Sequence, residues 1–462
     1  LRLLHAAGLP GGVVQLLPGD GETVGAALVG HREINGVMFT GSTAVARHIA
    51  ATLAERLSRD GATVPLIAET GGQNAMVVDS SALAEQVVYD VLTSAFDSAG
   101  QRCSALRILC VQDDCADRLL NMLRGAIQEL RIGNPDRLNT DVGPVIDGEA
   151  ARNIEDHIQK MRDAGLNVVQ LPLPSHTQYG TFVAPTLIEI DSISRLEREV
   201  FGPVLHVLRY KREDLPKVLD QVNATGYGLT FGLHTRIDET VEQVMARIRA
   251  GNLYVNRNIV GAVVGVQPFG GEALSGTGPK AGGPLYLYRL LSTRPPEMAA
   301  GIDLSAGLPV TLPLPGPTGE SNEYNVLPRG TVLCFARTEA GLRAQLDAVF
   351  KTGNRALLAE TPQLQSLLAK TDSVDRTRVD TVAKNQIDGA AFDAVLFEGD
   401  SDALLELNRR LAAREGPIVS VQGLTSDSLA HGLHYALEPL LLERAVSINT
   451  AAAGGNASLM TI

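Results

Sequence analysis

The chain has 462 residues, with 40 basic and 52 acidic side chains and a formal net charge of −12. That length implies two or three domains with cores of their own, and an acidic chain without a basic stripe argues against nucleic-acid binding. No apolar run is long enough to span a bilayer and no basic-then-apolar leader is visible. Four cysteines in so long a chain argue against a disulfide framework, so a reducing compartment, the cytoplasm, is expected. The chain opens on LRLLHAAGLPGG rather than on Met. That stretch reads as the end of a helix and a turn, so the natural protein is expected to begin upstream.

In chain order, VVQLL (13–17) is β-rich and residues 20–29 have helical spacing. GVMF (36–39) reads as a buried strand and STAVARHIAATLAERL (42–57) as an amphipathic helix. VPLIAE (64–69) and NAMVVD (74–79) are expected strands, followed by helix 81–96, strand 105–112 and helix 116–130. Strands alternating with helices imply a largely parallel sheet covered on both faces. Residues 131–203 are more irregular, with a helix near 150–164 and a strand at 182–190. Strand, helix, strand and helix then return between 199 and 250, before a Gly-rich run that ends at Gly283. Residues 302–330 are rich in Pro and Gly and read as a linker. Beyond them the alternation restarts as a second doubly wound unit. None of its strand–helix turns is Gly-rich, so none reads as a phosphate cradle. The small, apolar tail 447–462 needs cover from other surface.

The chemistry concentrates between Glu69 and Cys103. The gap has room for one strand and one helix, enough to bring both groups to the same end of a sheet. A thiol with a carboxylate nearby points to covalent catalysis; a solvated acid and a buried hydrophobic cysteine are the ordinary alternatives. Cys103 stands in the polar frame Gln101-Arg102-Cys103-Ser104, unlike Cys110, Cys115 and Cys334, which lie in or beside apolar segments. The four cysteines and nine histidines show no metal-ligand spacing. A Cys–His dyad stays open, although none of the histidines lies in a motif. FTGSTAVA (39–46) joins a strand to a helix whose N-terminal amides suit a phosphate, or form an ordinary capped turn. EVFGPV (199–204) is a turn with an acid and an aromatic. NRNIVGAVVGVQPFGG (256–271) is either backbone shaped to a ligand or a flexible linker.

Separately these motifs are weak, but in this order FTGST, ETGGQNA, GQRCSA, EVFGPV and QPFGG resemble the aldehyde dehydrogenase superfamily. YVNRNIVGAVVGVQPFGGEALSGTGPKAGGP and SINTAAAGGNASLMTI narrow the resemblance to the L-glutamate γ-semialdehyde (pyrroline-5-carboxylate) dehydrogenase half of the bacterial proline utilization A group, over the whole chain. The fold this implies is α/β, with aldehyde-dehydrogenase-like doubly wound parallel sheets. Residues 1–69 would be the C-terminal part of an incomplete Rossmann-like NAD-binding domain and 70–262 the catalytic domain. Residues 263–301 would anchor substrate and return the chain, 302–330 would link, and 331–462 would form a degenerate aldehyde-dehydrogenase-like domain.

By the same resemblance, Cys103 is the nucleophile and its amide an oxyanion donor, while Glu69 is the general base that helps water release glutamate from a thioester. Thr40, Gly41 and Ser42 match the cofactor's pyrophosphate region. Glu199 matches the acid on the nicotinamide ribose, and Phe201 the aromatic beside the ring. Ser104, Gly261 and Ala262 match the positions on the substrate's amino-acid end, and Phe269 one wall of an aromatic clamp. The implied reaction is NAD-dependent oxidation of L-glutamate γ-semialdehyde to glutamate, the second step of proline catabolism. The implied partner is an upstream proline dehydrogenase domain carrying FAD, within a homo-oligomer. The family's oxyanion-hole Asn and ribose-binding Lys fall before Leu1; losing one such donor costs ~3 kcal/mol of transition-state stabilisation, so residues 1–462 made alone are expected to be nearly inactive. A related dehydrogenase of another aldehyde, a cofactor-free cysteine hydrolase and a non-catalytic assembly module are the competing functions.

Overall fold

The computed structural model of the chain describes residues 1–291, 302–369 and 375–451. Its centre is a ten-stranded sheet. Seven strands run parallel through the middle, in the spatial order Leu441–Asn449, Asn252–Val255, Thr230–His234, Ala75–Val78, Ile108–Gln112, Val204–Tyr210 and Thr186–Ile190. Antiparallel strands close both edges, Asn167–Gln170 on one side and the hairpin Val310–Leu314 with Glu320–Pro328 on the other. Ala75–Val78 and Ile108–Gln112 are buried at every position. That is the continuous apolar signature of strands covered on both faces. Helices Ala84–Phe96 and Asp113–Gln128 pack on this sheet through Val87, Val91, Leu119, Leu120 and Leu123.

Three smaller sheets accompany it, one of them the short antiparallel pair Tyr227–Gly228 with Glu272–Ala273. Val37–Thr40 pairs in parallel with Leu66–Glu69, joined by helix Thr43–Ala54. A five-stranded parallel sheet forms from residues 331–424, with Thr331–Phe335 at its centre. This C-terminal unit leans on the unit formed by Val37–Thr40 and Leu66–Glu69: Arg409 pairs with Glu55 at 2.8 Å, and Thr63 Oγ1 donates to the Val421 carbonyl at 2.9 Å.

Three expectations change. Residues 13–17 form no strand; Val13, Leu16 and Leu17 are exposed, and a strand without a partner leaves its amides unpaired. The supposed linker 302–330 holds both strands of the edge hairpin. Its prolines are tolerated because Pro313 and Pro328 lie in a hairpin at the sheet edge, at and near strand ends. The supposed tail begins inside Leu441–Asn449, a strand in the interior of the large sheet between Asn252–Val255 and Glu320–Pro328. Cover for its first residues thus comes from this chain; residues 452–462 lie outside the described ones. Among the described residues no helix is long and apolar enough to cross a membrane.

Candidate active site

Glu69 ends its strand directly opposite Thr40, and the Gly41 amide donates to the Glu69 carbonyl at 3.1 Å. Gly41 and Ser42 follow in the turn, where the Ser42 hydroxyl caps helix Thr43–Ala54 by accepting from the Val45 amide at 3.2 Å. The helix N-terminus and the carboxylate therefore share the C-terminal edge of the small sheet. Residues 70–74 carry the chain across to the large sheet. Cys103 lies before the N-terminal end of strand Ile108–Gln112. The two groups are thus brought together from facing ends of two different sheets, not from one end of a single sheet. The negative charge of Glu69 reaches Cys103 and acts to raise its thiol.

Glu69 is turned towards the Gly-rich segment: its Oε2 accepts from the Gly271 amide at 3.3 Å, while Oε1 is buried with no hydrogen-bond partner. Burial pushes its carboxyl up to about 8, against the opposing positive charge of Lys280 and the Gly271 bond. A carboxyl with that value holds and gives up a proton in the neutral to mildly alkaline range, as a general base must. Burial also raises the Cys103 thiol, and the negative charges of Glu199 and Glu69 add to it.

The turn bearing Cys103 is clamped by a residue that sequence reasoning passed over. Asn74 is buried, and its Nδ2 donates to the carbonyls of Cys103 at 2.7 Å and Ala105 at 2.9 Å. Its Oδ1 accepts from the Thr230 amide at 3.1 Å, and its carbonyl from the amides of Arg107 and Ile108. The signal was present: a buried polar side chain at the head of an apolar strand must find partners. Just upstream, Ser98 and Ala99 adopt left-handed backbone at φ 56° and 53°. That is costly for residues with a Cβ, and such strain is typical of functional turns.

Glu199 is fixed by a second missed residue. Arg107 is 1% exposed; its Nη1 donates to the Gly100 carbonyl at 2.6 Å and the Gly202 carbonyl at 3.2 Å, and its Nη2 reaches Glu199 Oε1 at 3.1 Å. Phe201, largely exposed, has the same guanidinium 5.1 Å from its ring centre. Burial raises the Glu199 carboxyl, and Arg107 opposes that rise. Gly71 leaves room for this carboxylate: a Cβ on it would lie 1.8 Å from Glu199 Oε2, so the side chain would have to move.

Ser104 is buried, and its carbonyl accepts from Thr230 Oγ1 at 3.2 Å. Gly261 and Ala262 lie in a loop tied to the Cys103 turn through Ser94. The Ser94 carbonyl accepts from the Leu106 amide at 2.8 Å, and its hydroxyl from the Ile259 amide at 3.1 Å. Gln267 closes that loop by accepting from the Val263 amide at 2.8 Å. Phe269 exchanges two backbone hydrogen bonds with Ala281, beside the Gly270–Gly271 pair that packs on Glu69. Among the described residues no cluster of His, Cys, Asp and Glu is arranged to hold a metal.

A sequence profile described as the aldehyde dehydrogenase family matches residues 1–294. The chain belongs to the aldehyde dehydrogenase family. Over its whole length it is 53% identical to the bifunctional protein PutA of Escherichia coli K12, across 38% of that protein. It is 37% identical to a 1-pyrroline-5-carboxylate dehydrogenase of a Geobacillus strain, over 62% of this chain and 55% of that one. A PutA structure from Corynebacterium freiburgense matches 98% of this chain and 45% of its own, with a TM-score of 0.72; at 24% identity this speaks to the fold alone. The chain therefore spans well under half the length of the curated PutA relatives it matches. Aldehyde dehydrogenases use NAD or NADP. The family match ends near residue 294, so the edge hairpin, the C-terminal unit and strand Leu441–Asn449 fall outside it.

Proposed function

We propose that this chain carries out NAD-dependent oxidation of L-glutamate γ-semialdehyde to L-glutamate, the aldehyde-oxidising step of proline breakdown. The observation that carries the reading is that both Glu69 and the Arg107-held Glu199 bear on Cys103, each negative charge acting on its thiol. The residues fit a nicotinamide dinucleotide. The 12-residue helix Thr43–Ala54 presents its N-terminus beside Gly41 and Ser42, a favourable seat for a pyrophosphate. Glu199, propped on a buried cation, suits a pair of ribose hydroxyls. When bound, the nicotinamide supplies the acceptor for the substrate's hydride.

The chain's own groups do the rest. Cys103 loses its proton and its Sγ bonds to the aldehyde carbon, giving a thiohemiacetal to whose oxyanion the Cys103 amide can donate. Loss of the hydride leaves a thioester on Cys103. Water then adds to the thioester carbon, its proton passes to Glu69, the C–S bond breaks and Cys103 leaves as thiolate. Ser104, Gly261 and Ala262 receive the substrate's amino-acid end, with Phe269 against its methylenes. Neutral donors of this kind hold a carboxylate without a buried counter-charge.

Residues 1–69 then belong to the cofactor domain and 70–262 to the catalytic domain, with 263–301 as anchor. The C-terminal unit is read as non-catalytic. The start of its helix Glu339–Lys351 is already taken by an internal carboxylate: Glu398 accepts from the amides of Arg337 and Thr338 and from the hydroxyls of Thr338 and Ser426. Within the full-length protein we assign a cytoplasmic homo-oligomer, with an FAD-bearing proline dehydrogenase domain upstream. The test is NADH formation at ~340 nm by the full-length protein with glutamate semialdehyde. Activity lost in Cys103→Ala supports the reading; turnover surviving that substitution, or hydrolysis of a thioester without any dehydrogenation, overturns it.

A further inference from the structure

Behind Glu69 lies a buried cation to which the sequence analysis assigned no role. Lys280 is 2% exposed; its Nζ donates to Asn252 Oδ1 at 2.7 Å and to the Gly270 carbonyl. Gly270 is the spacer between the two charges. A Cβ there would stand 2.7 Å from Glu69 Oε1 and 3.2 Å from the Lys280 Cα. Lys280 is itself seated from outside the region matched by the family. Glu443, on strand Leu441–Asn449, accepts from the Lys280 amide at 2.8 Å and from the Tyr324 hydroxyl, on the edge hairpin, at 2.6 Å.

We propose that Lys280, seated by Glu443 of the C-terminal strand, is a positioning residue for Glu69 and holds a positive charge behind the carboxyl that takes the proton in thioester release. The inference rests on the assignment of Glu69 as the base. A carboxyl buried without a counter-charge stays protonated and cannot accept a proton. Among the groups acting on Glu69, Lys280 is the largest opponent of its burial, while Glu443 repels it. Lys280 is surrounded by Glu443, Glu69 and Glu272, which hold its proton on, and by Arg444, which opposes them; burial pulls it down to about 8. The hairpin and the returning strand therefore do more than cover the sheet edge: they complete the setting of the base.

The experiment uses the full-length protein and follows two readouts against pH: the first-turnover burst of NADH, which reports acylation, and the steady-state rate, which reports release. Lys280→Gln keeps hydrogen-bond donors but removes the charge. It is expected to leave the burst within about twofold of wild type and to move the midpoint of the release limb upward by at least about half a unit. Lys280→Arg is expected to restore the wild-type midpoint. Glu443→Gln is expected to move it upward by less, because weaker support for the Lys280 charge is partly offset by loss of Glu443's own repulsion. A folded Lys280→Gln with an unmoved midpoint overturns the proposal. So does Lys280→Arg with a shifted midpoint, and this variant decides the matter if the Gln protein does not fold. Absence of any NADH from wild type with this aldehyde would instead strike at the proposed function.

Discussion

The Arg107 guanidinium, 1% exposed, meets Glu199 with its Nη2 3.1 Å from Oε1, so this acid is held by a cation between the Cys103 turn and the strand that follows it. The pair ties the Cys103 turn to the 199–203 loop. Removing one partner leaves the other charge buried and unmatched, which typically costs ~3–5 kcal/mol. Arg107→Met is expected to lower stability by that order, read from denaturant midpoints. Glu199→Gln, which keeps an acceptor for Arg107, is expected to cost less stability while weakening NAD binding, read by cofactor titration.

Gly71→Ala places a methyl where Glu199 Oε2 now stands, at 1.8 Å. Glu199 must swing away or the 70–74 crossing must shift. NAD affinity is expected to fall at least about tenfold, the loss of roughly one charge-assisted hydrogen bond. An unchanged cofactor affinity would show that Glu199 does not reach the ribose.

The two halves of the cycle separate by substitution and by pH. Glu69→Gln is expected to give one NADH per site and then stall as the thioester, detectable by intact-protein mass, whereas Cys103→Ala gives no burst. The Glu69 carboxyl, pushed up to about 8, holds its proton at lower pH and cannot accept another. The release rate is therefore expected to fall as pH drops below that value and to level off above it, with the burst less affected. A release limb centred near the ordinary carboxylate range would contradict the buried environment of Glu69.

Asn74→Ala removes the side-chain amide that donates to the Cys103 and Ala105 carbonyls. Each acceptor left without a donor costs about 1–3 kcal/mol. A drop in stability is expected together with a slower acylation burst, measured by denaturation and stopped flow.

A buried imidazole pair makes a separate pH prediction, on stability rather than rate. His157 and His206 face each other Nε2 to Nε2 at 2.9 Å, and burial pulls them from 6.5 to about 4 and about 3. The unfolded chain takes up protons below 6.5 while the folded pair does not. Their contribution is thus present above 6.5 and is lost as pH falls towards about 4. The double variant His157→Gln with His206→Gln is expected to lose less stability than wild type between about pH 7 and about pH 5, by parallel thermal melts.

Much of the alternation was legible because it rests on local pattern. The apolar runs AMVV and ILCV and the amphipathic spacing of helix 113–128 specify their elements wherever the chain places them. The hairpin 310–328 was not legible, since its burial is partial and its prolines read as loop punctuation. Strand 441–449 was hidden for another reason: its partners come from residues 252–255 and 320–328, and no local signal records so distant a pairing.

The same division runs through the site. By itself the sequence determined the reactive groups, a thiol in a polar frame and an acid before a Gly-rich turn, because chemical reactivity is a property of residue type and near neighbours. Only the tertiary structure decided that Cys103 and Glu69 come from facing ends of two sheets, that Arg107 and Asn74 lock their surroundings, and that Lys280 stands behind Glu69 on a glutamate from the far end of the chain. Those roles depend on burial, which sets the cost of every unpaired charge and hydrogen bond, and burial belongs to the assembled fold.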